Sequence, residues 1–306
     1  MSILAVGCGS QALAESTSDV FGSAAWSNTT GSGALGQSPV AEPRNPDDQI
    51  SNELVLGEPV AGERLTATDL VGDQLPSERP PVVPLTTEQV SEVRAAAAIS
   101  PETQGTFVAH VNVDTIVARQ EPSATSSPIE EFENPTPRGG PLVFAAVGIP
   151  TDGWLEVMLP IRPNGSTGWI PVDEVDLTIN PFRIEVNASE HRMSIFRFGE
   201  EILTTTVAIG AGDTPTPIGE FFLIELLRPS DPTGVYGPFA YGLSGYSETL
   251  DNFNGGNGVI GIHGTNDPDA LGGDVSHGCI RVANPTISEM TNFLPLGTPV
   301  KIFRTA

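Results

Sequence analysis

The residues best suited to chemistry lie in one polar, glycine-rich stretch near the C-terminus of the chain. Two of the four histidines and one of the two cysteines fall within it, in the order His263, then Ser276-His277-Gly278-Cys279. Thiolate is the reactive form of cysteine, and a histidine within hydrogen-bond reach can accept the thiol proton. This spacing therefore predicts a nucleophilic cysteine with an imidazole base.

Three features of this stretch suggest how the groups meet. His277 precedes Cys279 by two residues, and such positions share a face in an extended segment, so we expect the two side chains to lie near each other. His263 ends a predicted strand, and the pair Gly272-Gly273 lets the chain fold back. Gly278 permits close backbone approach, and we expect the N–H groups around it to hold an oxyanion.

Two other interpretations of the same residues remain open. Cys279 could be a buried apolar side chain, as free cysteines often are, although a polar glycine-rich loop is an unusual place for one. Alternatively, zinc could bind here. Its ligands would be His263, His277 and Cys279 with one of Asp267, Asp269 or Asp274.

Composition excludes several classes of function. The 306 residues carry a formal charge of −24, with no cluster of basic residues. Such a chain is a poor ligand for nucleic acid or for an anionic membrane surface. The sequence contains no run of 18 apolar residues, so it predicts no transmembrane helix. Two cysteines allow one disulfide at most, which excludes a disulfide-framework protein.

Residues 182–304 are predicted to form a mainly β domain that positions the reactive stretch. Apolar and polar residues alternate from Phe182 onward in short runs separated by turns, which is typical of hairpins. Asn284-Pro285 predicts the start of one helix, with Asn at the N-cap and Pro at the first position. A last strand closes the domain before residue 304.

Residues 105–178 predict a second, smaller β module. Five or six short strands within this segment, separated by Gly, Pro and Asn turns, indicate a small barrel. Trp154 and Trp169 could form a binding face, but we expect them to fill the core of the barrel. Residues 85–104 predict a short helix or linker.

Residues 1–84 predict a disordered tail. Ser, Gly, Asn, Thr, Pro and Ala dominate it, and such a segment cannot bury enough apolar area to offset its chain entropy. Val6-Gly7-Cys8 resembles the lipobox of bacterial lipoproteins, whose cysteine is lipidated. The tail would then be a tether between membrane and wall, and the alternative is a chance cysteine in a disordered segment.

The reactive stretch and its surroundings resemble a known family. His263-Gly264, Ser276-His277-Gly278-Cys279-Ile280-Arg281 and the upstream Thr214-Pro-Thr-Pro-Ile-Gly are similar to the L,D-transpeptidase (YkuD) catalytic domain. The segment from Trp154 to Pro171 resembles the bacterial SH3-like modules found beside cell-wall enzymes. The fold class implied is an SH3-like barrel followed by a β-rich catalytic domain with one helix.

The family resemblance implies a role for each residue of the motif. Cys279 would be the nucleophile and His263 its base, while His277, Ser276 and Gly278 would shape the thiolate environment and the oxyanion site. Arg281 replaces an Asn found in many members, and would grip a stem-peptide carboxylate. Tyr246 or Tyr241 would line the donor pocket, or else pack in the core.

The same resemblance implies the reaction and its partners. Cys279 would form a thioester with a peptidoglycan tetrapeptide stem, and a second stem would accept the acyl group in a 3→3 crosslink. No metal or organic cofactor is implied, and a carbapenem would acylate the same cysteine. The protein would be exported to the bacterial envelope. The alternatives are an L,D-carboxypeptidase and a non-catalytic wall-binding protein.

Overall fold

The computed structural model describes Thr86, residues 105–250 and residues 257–305. Its strands form two blocks, one from Thr106 to Asn180 and the other from Phe182 to Phe303. The described residues contain a single α-helix, so the predicted fold class of mainly β structure with one helix is confirmed. The predicted tail, the lipobox at Cys8 and the predicted helix or linker lie outside the described residues, Thr86 excepted.

The first block, here called the module, consists of two antiparallel sheets around one core. One sheet has the strand order β4-β1-β7 and the other β3-β2-β6-β5. The seven strands are β1 (Thr106–Val111), β2 (Thr115–Arg119), β3 (Pro128–Glu133), β4 (Val143–Ala145), β5 (Trp154–Met158), β6 (Thr167–Pro171) and β7 (Val175–Asn180). A 3₁₀ turn, Val172–Glu174, precedes β7.

The two tryptophans of the module lie outside its core, contrary to expectation. On β5 and β6 the fully buried side chains are Leu155, Val157 and Ile170, whereas Trp154 and Trp169 are half-buried on the opposite face. Side chains alternate between the two faces of a strand, so a core filled by the first set turns the tryptophans outward. Whether this outward face binds anything stays a prediction.

The second block, here called the catalytic domain, is built on one eight-stranded sheet. Its strand order is β10-β9-β8-β17-β12-β13-β14-β16, and β11 and β15 pair separately in parallel. The strands are β8 (Phe182–Asn187), β9 (Arg192–Arg197), β10 (Glu200–Thr206), β11 (Ile209–Gly210), β12 (Gly219–Leu227), β13 (Ala240–Tyr246), β14 (Val259–His263), β15 (Asp274–Ser276), β16 (Ile280–Arg281) and β17 (Pro299–Phe303).

Strand β12 connects the cores of the two blocks. Phe221 and Leu223 pack into the core of the catalytic domain, while Phe222 between them is buried in the core of the module. Gly297 also approaches the module closely, since a Cβ built on it would lie 2.4 Å from a methyl carbon of Val108. The module therefore packs directly against the sheet that carries the reactive stretch.

The helix α1 (Asn284–Met290) begins one residue earlier than predicted. Ala283 occupies the cap position, Asn284 is the first helical residue and Pro285 the second. Asn284 does not cap the helix, because its Oδ1 accepts the backbone N–H of Thr265 at 2.8 Å. The side chain of Asn284 thus stabilises the turn that follows β14 instead of its own helix.

Candidate active site

Two neighbouring parallel strands bring His263 and Cys279 to the same region. His263 is the last residue of β14, and Cys279 directly precedes β16. The two strands pair in the register Ile262 with Ile280, and the Val282 N–H donates to the His263 carbonyl at 2.9 Å. A separation of 16 residues along the chain thereby becomes adjacency across the sheet.

The thiol of Cys279 lies in a partly enclosed position. The residue is half-buried, and burial raises the pKa of the Cys279 thiol. Two features oppose this effect: the Gly261 N–H hydrogen bonds to the sulphur, and the guanidinium of Arg281 favours the thiolate. The site therefore holds a neutral thiol with groups already placed to stabilise the anion that forms when it loses its proton.

His263 is a buried and neutral imidazole. Only 4% of the residue is exposed, and burial lowers the pKa of His263 to about 4, with a smaller contribution in the same direction from Arg281. Its Nδ1 donates to the Gly264 carbonyl at 2.6 Å, which partly opposes that shift. With Nδ1 as the donor, Nε2 carries the lone pair that a base needs.

Ser276 and Gly278 form a tight bend beneath the cysteine. The Ser276 hydroxyl donates to the Cys279 carbonyl at 2.5 Å and accepts the Gly278 N–H at 3.2 Å. Gly278 has φ +115°, a conformation that favours glycine. The Gly278 N–H is therefore engaged within the loop, and an oxyanion site formed by the N–H groups around Gly278 stays a prediction.

The extended segment expected between His277 and Cys279 is not present. Residues 277 and 278 form a bend, and the positive φ of Gly278 removes the regular alternation on which the prediction rested. His277 is half-buried within this bend. The spacing of two residues therefore does not by itself put the side chains of His277 and Cys279 on one face.

Arg281 supplies positive charge to the site. The residue is 9% exposed and pairs with His263 across the parallel strands. Its guanidinium lowers the pKa of both the Cys279 thiol and the His263 imidazole. One cation thus favours the thiolate, and it keeps the resting imidazole unprotonated while opposing the protonation that follows when the ring accepts a proton.

Tyr236 is a further residue of the site that the sequence analysis missed. Its ring lies 4.7 Å from the ring of His263, centroid to centroid, at an interplanar angle of 57°. Burial, and then the nearby charge of Cys279, raise the pKa of Tyr236, so the phenol remains protonated. Its only signal in the sequence is its place beside Gly237-Pro238, in the loop that precedes β13.

The two tyrosines proposed from the sequence lie elsewhere. Tyr241 is 1% exposed in the core, and its hydroxyl donates to the Leu294 carbonyl at 3.1 Å. Tyr246 lies at the boundary with the module, where its hydroxyl donates to the Pro160 carbonyl at 2.7 Å. These contacts favour packing over a donor pocket as the role of both residues.

A compact turn holds the end of β14. A Cβ on Gly237 or on Gly264 would lie 2.3 Å from Oδ1 of Asn284, so neither position has room for a side chain. The same oxygen accepts the Thr265 N–H. This packing positions the Gly264 carbonyl that bonds to His263.

No assembled metal site accompanies these residues. Within residues 105–250 and 257–305, no group of three or more His, Cys, Asp or Glu side chains is placed to hold a metal ion. The zinc alternative, which required His263, His277, Cys279 and an aspartate together, is therefore not supported by the arrangement. The same residues contain no helix long and apolar enough to span a membrane.

Comparison with known protein families assigns part of the chain to a family model. Residues 181–302 match the model of the L,D-transpeptidase catalytic domain, YkuD. This segment contains every residue of the site described above and begins one residue before β8. The resemblance expected from the Ser276-His277-Gly278-Cys279 motif is thus confirmed for the catalytic domain, and the likeness of the module to SH3 domains stays a prediction.

Individual relatives match about two fifths of the chain. The YkuD protein of Bacillus licheniformis is 33% identical over 122 residues, 40% of this chain and 66% of the relative. The YqjB protein of Bacillus subtilis is 30% identical over 147 residues, 43% of this chain and 76% of the relative. Both are named as L,D-transpeptidases.

Among solved structures, the catalytic domain of the Enterococcus faecium L,D-transpeptidase is 24% identical, with a TM-score of 0.29. The match covers 40% of this chain and 95% of that domain.

Proposed function

Because this chain belongs to the YkuD family of L,D-transpeptidase catalytic domains, we propose that it is a cysteine acyltransferase acting on peptidoglycan stem peptides. One observation carries the proposal. A neutral imidazole and a thiol lie at the ends of adjacent parallel strands, with an amide N–H on the sulphur and a guanidinium favouring the thiolate.

The first half-reaction forms a thioester. Nε2 of His263 takes the proton of the Cys279 thiol, and the thiolate attacks the carbonyl carbon of the L-configured centre of a diamino acid in a tetrapeptide stem. Collapse of the tetrahedral intermediate breaks the bond to the terminal D-Ala, whose amine leaves with the proton returned by His263. The acyl group remains on Cys279.

The second half-reaction transfers the acyl group. The side-chain amine of a second stem attacks the thioester carbonyl, His263 accepts a proton from that amine, and the thiol is regenerated as the 3→3 amide forms. Attack by water would instead release a shortened stem. We further propose that Tyr236, a protonated phenol whose ring lies beside the imidazole, donates a hydrogen bond to the developing oxyanion.

The remaining residues of the site have supporting roles. Ser276 and Gly278 hold the bend that presents the thiol, and Arg281 favours the thiolate and is suited to a stem carboxylate. The substrate implies export to the bacterial envelope. It also implies that a carbapenem, whose strained ring contains a reactive amide, acylates Cys279.

The direct test is to incubate the full chain with a disaccharide tetrapeptide, with and without an acceptor stem, and to identify products by mass spectrometry. We expect release of D-Ala and a 3→3 dimer only when the acceptor is present, and neither product from Cys279→Ala. Trp169→Ala, a change on β6 of the module and outside the matched residues 181–302, is the matched control and should retain activity.

Each other outcome changes the assignment. Release of D-Ala with no dimer in the presence of acceptor would identify a carboxypeptidase. Activity retained by Cys279→Ala would contradict the cysteine mechanism. Retention of sacculi on residues 105–178 without turnover by the folded full chain would favour the wall-binding alternative.

A further inference from the structure

One loop of the module hydrogen bonds to the backbone of the catalytic domain where β13 ends and β14 begins. The β5–β6 loop, residues 159–166, contacts the two ends of the β13–β14 connection, residues 247–250 and 257–258. Arg162 donates to the Ser247 carbonyl at 2.7 Å, to the Leu250 carbonyl at 3.0 Å and to the Asn257 carbonyl at 3.1 Å. One guanidinium therefore holds both ends of the connection together.

Asn164 of the same loop completes the contact by pairing with Tyr246. Its Nδ2 donates to the Tyr246 carbonyl at 2.8 Å, and its Oδ1 accepts the Tyr246 N–H at 2.9 Å. A side-chain amide that satisfies both backbone groups of one residue replaces the partner that a neighbouring strand would provide. The guanidinium of Arg162 also lies over the Tyr246 ring, 4.8 Å from its centroid.

Tyr246 requires this substitute because β12, the strand on that side of β13, pairs with β13 only as far as Leu243. On the other side, where Ser247 bonds to Gly258, the ladder between β13 and β14 is irregular. The pairs Gly242 with Gly261 and Tyr246 with Val259 leave three residues of β13 opposite one residue of β14. An irregularity of this kind interrupts regular strand pairing and sets its local twist. The strand register alone thus defines the start of β14 poorly, and the module defines it from outside.

The start of β14 leads directly to the thiol. The Ser247 N–H donates to the Gly258 carbonyl at 2.7 Å, immediately before Val259. Gly261, two residues into β14, donates its N–H to the sulphur of Cys279. Ile260 borders Gly278, since a Cβ on that glycine would lie 3.5 Å from a methyl carbon of Ile260.

We propose that Arg162 and Asn164 of the module are positioning residues for the Cys279 thiol, acting through the register of β14. The module then helps to position the reactive thiol, in addition to any role in binding the cell wall. The consequence for acyl transfer rests on the proposed function, whereas the consequence for thiol reactivity does not.

The experiment measures alkylation of Cys279 by iodoacetamide between pH 6 and pH 10 in the full chain carrying Cys8→Ser, so that one thiol reacts. Arg162→Ala is expected to lower the rate constant at pH 7 roughly tenfold and to move the pH midpoint upward, because the Gly261 N–H no longer stabilises the thiolate. Asn164→Ala should act in the same direction. Arg162→Lys, which keeps the charge but not the fork of donors, should give an intermediate rate.

Arg138→Ala is the matched control. Arg138 also joins the module to the catalytic domain, with Nη1 2.8 Å from Oε1 of Glu225, but this partner lies on β12 and not on the β13–β14 connection. Its removal should weaken docking of the module while leaving the alkylation rate within twofold of the parent. Circular dichroism is the measurement that checks whether each variant is folded.

Three results would overturn the proposal. The first is a pH profile of alkylation that is unchanged in both Arg162→Ala and Asn164→Ala. The second is a loss of alkylation rate in Arg138→Ala equal to that in Arg162→Ala. The third is an alkylation rate in Arg162→Lys equal to that of the parent while Asn164→Ala has no effect. Because iodoacetamide requires no stem peptide, failure of the transferase assay with these alkylation differences intact would reject the proposed function alone.

Discussion

Each of the two blocks of the molecule places one histidine where burial lowers its pKa, and the two differ in their neighbours. In the module, Nε2 of His110 lies 3.0 Å from the hydroxyl of Thr178. The nearby carboxylate of Asp176 offsets part of the lowering of the His110 pKa by burial. In the catalytic domain, Nδ1 of His263 bonds to a backbone carbonyl, and the charge of Arg281 lowers the pKa further.

In both blocks burial favours the neutral imidazole, and the groups beside the two rings differ in charge and in chemistry. An adjacent anion favours the protonated ring, whereas an adjacent cation disfavours it. His263 combines the cation with a thiol on the neighbouring strand. His110 bonds to a threonine hydroxyl between two strands of the module, β1 and β7. The thiol on the strand next to His263 suits proton transfer, and the hydroxyl beside His110 suits stability.

The largest expected difference between the two histidines is in reaction rate. His263→Gln should lower the rate of acylation of Cys279 by a carbapenem about 10²- to 10⁴-fold, the usual contribution of a general base. His110→Gln should change that rate by less than twofold. Time-resolved intact-mass spectra of both variants measure this. Equal losses in the two variants would show that His263 acts only through the fold.

The next effect is on stability in acid. A histidine whose pKa is about 4 when folded and about 6.5 when unfolded binds more protons in the unfolded state between those values. Its contribution to stability is therefore fully present above pH 6.5 and is lost as the pH falls toward 4. Between pH 7 and pH 4 the wild type should lose about 3 kcal/mol more than His263→Gln.

Urea unfolding at both pH values measures this difference, since the carboxylates are common to the two proteins. The difference should have the same sign for His110→Gln, because burial lowers its pKa as well. A wild type that loses no more stability than His263→Gln would mean that the ring is protonated when folded.

The smallest expected effect is confined to the module. Thr178→Val removes the hydroxyl that bonds to His110 and should cost about 1 kcal/mol, the usual contribution of one hydrogen bond. The acylation rate of Cys279 should not change. Thr178→Ser, which keeps the hydroxyl, should recover most of the loss in urea unfolding. A reduced acylation rate in Thr178→Val would indicate that the two blocks are coupled through this bond.

The sequence predicts what depends on local pattern. Alternation from Phe182 onward indicates hairpins, and the Ser276-His277-Gly278-Cys279 motif identifies the family because its residues are contiguous. The prediction that Trp154 fills the core is wrong, although the sequence carries the signal for the outward orientation. Trp154 shares its strand face with Glu156, while Leu155 and Val157 face inward.

The remaining features depend on contacts between distant parts of the chain. Tyr236 lies in a loop without periodicity and reaches His263 only through the fold. Asn284 has the residue type of a helix cap, but tertiary packing gives its oxygen to Thr265. Arg162 has no local signature at all, because its three acceptors lie 85 or more residues away.

The central claim is that Cys279 is the nucleophile of an acyl-transfer site, and one measurement tests it most directly. Intact-mass spectra of the full chain and of Cys279→Ala are recorded after incubation with a carbapenem. Ring opening by the thiolate retains every atom of the drug, so the account predicts a gain of one whole drug molecule in the wild type and none in Cys279→Ala. No adduct on the folded wild type, or an adduct that persists in Cys279→Ala, would contradict it.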